Sequence, residues 1–152
     1  MARASILASR PPAVLIAAAA SAIAAQVHAW AAPEHLALKP LLGVGFLVVA
    51  FLQGAYAVAL LSRCPAPMLV RLGLVGSLAL ICLALVADTP GQPLAWLLEH
   101  QHAPGADLLE QVGLASEACL AAALAVLLMG GSITRCNPVT RGTARQDSVV
   151  QP

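Results

Sequence analysis

Six side chains in this sequence could do chemistry together: His28, Glu34, His35, His100, His102 and Glu117. Imidazole nitrogens and carboxylate oxygens are the donor set that zinc, copper and nickel accept, so the cofactor this set implies is a transition metal such as copper or zinc. Against that, Glu34-His35 is only a dipeptide and His100-x-His102 is no metal motif by itself, so a solvated polar rim accounts for the same residues. A second pair lies deeper in apolar surroundings, Gln53 and Glu117. An ionisable side chain within hydrocarbon costs several kcal/mol unless it is paired or protonated, which makes Glu117 a candidate for function. Gln53 reads either as an interhelical hydrogen bond worth about 1 kcal/mol or as the polar lining of a substrate path. A contact from His28 to Glu117 is also available on spacing, as a proton-handling pair, two metal ligands or a packed hydrogen bond.

These residues must be positioned by apolar elements. The chain of 152 residues is 60% hydrophobic and 10% charged, with a mean hydropathy of +0.85, well outside the range of soluble domains. Four apolar runs, 12–31, 41–61, 67–87 and 112–131, each supply the ~20 residues needed to cross a hydrocarbon core of about 30 Å. The expected fold is all-α, an antiparallel transmembrane four-helix bundle over 12–131, with a cytoplasmic N-terminus at 1–11 and a disordered cytoplasmic tail at 132–152. Pro33 is expected to end the first helix, and Pro65 and Pro67 to stop helix continuation at the tight second turn. The connection 88–111 is the longest, with a short interfacial helix expected around Trp96. That register places Glu117 about a turn and a half below the outer end of the fourth span.

Charge sets the orientation. Seven arginines (Arg3, Arg10, Arg63, Arg71, Arg135, Arg141, Arg145) fall on one side of this topology and only Lys39 on the other. Cationic segments resist translocation, so both termini are expected in the cytoplasm of a multi-pass plasma-membrane protein. The outer face then collects Glu34, Asp88, Glu99, Asp107 and Glu110 together with all four histidines. The asymmetry reports orientation and does not suggest nucleic acid as a partner. A competing reading makes the first run a cleaved signal peptide ending near Ala29-Trp30-Ala31; its length and Trp30 favour an uncleaved helix.

Several classes lack their working residues. The four cysteines, Cys64, Cys82, Cys119 and Cys136, form no C-x-x-C and none lies in an outer loop, so disulfide exchange is not expected and buried small apolar residues is the reading. A membrane b-type cytochrome needs facing histidines within spans, where only His28 partly qualifies. Small residues mark the packing faces: alanines through the first span, Gly43, Ala50, Gly54 and Ala57 beside Gln53 in the second, and Gly73, Gly76, Ser77, Leu80 and Ala84 in the third.

The pattern His28, Pro33-Glu34-His35, Gly43-Val44-Gly45-Phe46-Leu47, Gln53 and Val112-Gly113-Leu114-Ala115 resembles a family of small four-span membrane proteins of high-GC Gram-positive bacteria. In those chains an outer His leads into a P-E-H turn and a second helix with a central Gln, and V-G-L-A precedes an acid in the fourth helix. This chain departs from the pattern after P-E-H, with Leu36-Ala37-Leu38-Lys39 where an acid and an aromatic are usual. The family has no assigned activity, so the resemblance implies the fold alone.

Two non-enzymatic functions are expected from these residues. The first is an outward-facing site, His28, Glu34, His35, His100, His102 and Glu117, binding a metal ion or acting in an accessory subunit against another membrane protein. The second is a small proton-coupled transporter using Gln53 and Glu117 as a mid-bundle substrate site. In a purely structural assembly protein, the third alternative, none of these residues would matter.

Overall fold

The computed structural model describes residues 10–62, 65–87 and 106–130. Four helices make up nearly all of it: α1 Pro12–Leu38, α2 Pro40–Ser62, α3 Pro67–Ala87 and α4 Ala106–Met129. All four are long and apolar enough to cross a membrane, and the protein is a small integral membrane protein of the all-α, four-helix-bundle class. Phe51, Leu41, Val75 and Leu108 are among the large apolar side chains left exposed on its outside. In water such a surface would aggregate; against lipid it is the expected exterior.

Proline placement explains three of the helix starts. Pro12, Pro40 and Pro67 each occupy the first helical position, where the missing N–H is not needed and φ is already helical. Pro40 also ends α1, because a residue before proline is pushed out of the α region. Lys39 accordingly sits at φ −141° and ψ 83°, its N–H bonded to the His35 carbonyl at 2.7 Å. Its own carbonyl then accepts from Leu42 and Gly43 at 2.9 and 3.1 Å, opening α2. One residue therefore joins the two helices.

Pro33 does not end the first helix: α1 runs through it to Leu38. The proline removes a single helical hydrogen bond, to the Ala29 carbonyl, and the residues after it, Glu34-His35-Leu36-Ala37-Leu38, are adequate helix formers, of which His35 and Leu36 pack on α2 against Phe46 and Gly43. The start of α4 also differs from expectation, at Ala106 rather than near Val112. Acidic residues such as Asp107 do not interrupt a helix, and the positive end of the helix dipole tolerates them in the first turn. Of the remaining expectations, the interfacial helix around Trp96 and the tail 132–152 lie outside the described residues.

The helices pack in an up-and-down ring. Contacts are most extensive between α1 and α2, then between α1 and α4 and between α3 and α4. The seam between α2 and α3 is looser and is filled by Tyr56, whose hydroxyl donates to the Leu69 carbonyl at 3.3 Å. Alanines on α1 let its neighbours approach: Ala17, Ala24 and Ala32 have no exposed surface. The apolar core gathers at the end that holds the α2–α3 link, where Val14, Leu60, Val70, Leu120, Leu124 and Leu127 meet. At that end Arg10 donates from Nη1 to the Leu60 carbonyl at 2.9 Å, a cation on the last turn of α2.

Candidate functional site

Beyond the apolar core, at the middle of the bundle, four polar side chains come from four different helices. Ser21, Gln53, Ser77 and Glu117 are all buried, Glu117 to 3% exposure. Each lies near the centre of its own helix, and the earlier start of α4 puts Glu117 about 16 Å along it, three turns in rather than one and a half.

Their bonds form one chain of contacts. Gln53 donates from Nε2 to Glu117 Oε1, and Ser77 Oγ donates to Glu117 Oε2 at 2.5 Å. Ser21 Oγ donates to the Gln53 backbone carbonyl at 2.8 Å, fixing the turn of α2 that carries the amide. The other amide atom, Gln53 Oε1, is buried without a hydrogen-bond partner. Among the described residues no Lys, Arg or His forms an ion pair with Glu117, so its partners there are an uncharged amide and an uncharged hydroxyl. Ser116, next to it in sequence, turns its hydroxyl back to the Gly113 carbonyl at 2.7 Å.

The magnitudes set the site apart from ordinary packing. Interhelical hydrogen bonds in membranes return on the order of 0.6–1.7 kcal/mol each. A carboxylate at the centre of a spanning helix costs about 2.5–3.5 kcal/mol even on the most lenient scales. Two such bonds at best balance that cost, and the orphaned Gln53 oxygen adds a further penalty of about 1–3 kcal/mol. As a device for holding helices together, the cluster is a poor one.

The histidines lie elsewhere. His28 donates from Nδ1 to the Ala24 carbonyl at 2.8 Å and His35 from Nδ1 to the Ala31 carbonyl at 2.9 Å, since a carbonyl can only accept. Phe46 of α2 is the ring they share: its centroid is 5.5 Å from that of His28 and 4.4 Å from that of His35, the latter stacked. The contact from His28 to Glu117 that spacing allowed is not made; His28 bonds within its own helix instead. Glu34 is exposed on the last turns of α1. Among the described residues no three of His, Cys, Asp and Glu gather in a way that could hold a metal ion, so His28, Glu34, His35 and Glu117 do not converge. His100 and His102 lie outside the described residues.

Sequence reasoning placed Gln53 and Glu117 on inward faces and paired them as one mid-bundle site in the transporter alternative, but missed the parts of Ser77 and Ser21. The available signal was that Ser21 and Ser77 are isolated hydroxyls in the middle of apolar runs, at the depth of Gln53. Cys82 and Cys119 are free and exposed on the outside of the bundle, not buried as small apolar residues. Gly76 also turns outward, away from the packing stripe. No protein-family model, curated protein or solved structure matches the chain.

Proposed function

We propose that the chain is a small, non-enzymatic, cation-coupled transport protein or transport subunit whose binding group is the Glu117 carboxylate. The observation that carries this is a carboxylate buried where all four helices meet, bonded only to neutral donors. A negative charge held so expensively is put to use by a cation that comes and goes, and helices that share its ligands are the parts that can respond. Access fits the same reading. The end with the α2–α3 link is plugged by Leu60, Val70 and Leu124, each without exposed surface, so on this reading the cation enters from the opposite end. On the arginine distribution that end faces outward.

The test is reconstitution in liposomes holding an internal pH dye, with an imposed cation or pH gradient. Proton movement that is present in the wild type, absent in Glu117→Gln and unchanged in Glu34→Gln is the expected result. Equal flux in wild type and Glu117→Gln, with both proteins shown folded by size exclusion, overturns the reading.

A further inference from the structure

We propose that the mid-bundle cluster is a sodium site, with Glu117, Gln53 Oε1 and Ser77 Oγ as its first protein ligands; this deepens the transport reading and rests on it. The argument is a count of donors and acceptors. The Ser77 hydroxyl proton is committed to Glu117 and that of Ser21 to the Gln53 carbonyl, while an N–H of the Gln53 amide goes to Glu117. What the cluster still offers is lone pairs, on the carboxylate, on the two hydroxyl oxygens and on the buried, unpartnered Gln53 Oε1. Against these lone pairs stands only the second N–H of the Gln53 amide, and such a surplus of acceptors is the signature of a missing positive charge. A single proton placed on Glu117 would meet one acceptor and leave the rest unsatisfied; a metal cation meets several at once.

Charge and size narrow the ion. The cluster holds one carboxylate and no other ionisable group, so a monovalent ion gives a neutral assembly, whereas a divalent one would leave a net positive charge in hydrocarbon. All the ligands are hard oxygens with no imidazole or thiolate among them, a set that suits hard cations better than the transition metals the histidines suggested. Two of the ligand oxygens are also close together, Ser77 Oγ lying 2.5 Å from Glu117 Oε2, and so tight a pair favours a small alkali cation over potassium.

The experiment is thermal unfolding of the purified full chain in detergent, titrated with sodium chloride, potassium chloride or choline chloride at constant ionic strength. A saturable rise in Tm with sodium alone is expected, with the apparent Kd weakened about tenfold or more in Gln53→Leu and lost in Glu117→Gln. Gln53→Asn keeps the amide but withdraws its oxygen by one methylene, and should weaken sodium without unfolding the bundle. Identical responses to sodium, potassium and choline, or an unchanged sodium response in both Gln53 variants, overturn the site. Glu117-dependent proton flux in liposomes without any sodium effect on Tm also overturns it, while leaving the transport reading standing. Sodium binding with no Glu117-dependent flux does the reverse: it supports the site and removes the transport reading.

Discussion

Two serines close to the same buried carboxylate, one across the bundle and one next to it in sequence, illustrate how little sequence position says about a hydroxyl. Ser77 gives its proton to Glu117 across the bundle, whereas Ser116, adjacent to Glu117, spends its own on the Gly113 carbonyl three residues back. Removing the first takes away one of the two donors on a buried carboxylate; removing the second leaves that carboxylate untouched. Ser77→Ala should therefore lower stability by about 1 kcal/mol in a reversible unfolding titration in mixed micelles, and Ser116→Ala by only a few tenths. Equal losses would mean that the Ser77 contact contributes nothing special. At this scale the sequence was legible where cost is visible, since an acid or an amide in an apolar run stands out. It gave no partner for Ser77, although it put that residue on a packing face, and none for Ser21, because a serine is cheap in a membrane helix and its partner is chosen by packing between helices.

Helix ends show which local rules prevail. The rule that proline stops a helix failed at Pro33 and succeeded at Pro40, and the difference is what lies on either side. Before Pro40, Lys39 has to leave the α region; before Pro33, Ala32 is fully buried against its neighbours, and packing holds it helical. The looser seam between α2 and α3 depends on a different small residue. A Cβ on Gly73 would fall on the hydroxyl end of Tyr56, the side chain that fills the seam. Gly73→Ala should cost about 1–3 kcal/mol, and most of that should be recovered when Tyr56→Ala is added, as a double-mutant cycle on unfolding would show. Strict additivity of the two would place the strain elsewhere. Gly43 is less forgiving, since a Cβ there meets the backbone nitrogen of Leu36, which has nowhere to go.

The molecule as a whole turns an apolar exterior outward, and two cysteines report on it. Cys82 and Cys119 are both exposed on the bundle surface, deep within α3 and α4. In a bilayer, and in a Cys64→Ser, Cys136→Ser background, neither should react with maleimide, because a thiol against hydrocarbon does not form the reactive thiolate, whereas both should react once the chain is unfolded in dodecyl sulfate; reaction in the bilayer would mean that those faces meet water. The membrane setting followed from composition and the number of spans from the four apolar runs, because hydrocarbon tolerates only long apolar helices. Their order around the ring did not, since four runs of similar apolarity carry no pairing code. The four helices are unequal in one respect: α1 and α4 bury a far larger share of their length than α2 and α3. Over many generations that inequality leaves a record. Leucine, valine and phenylalanine on the outward faces of α2 and α3 exchange for one another at little cost, whereas Ala17, Ala24 and Ala32, with no space beyond a methyl group, admit at most glycine or serine. A saturation library scored for folded protein would draw the interior of the bundle as a line of intolerant alanines along its first helix.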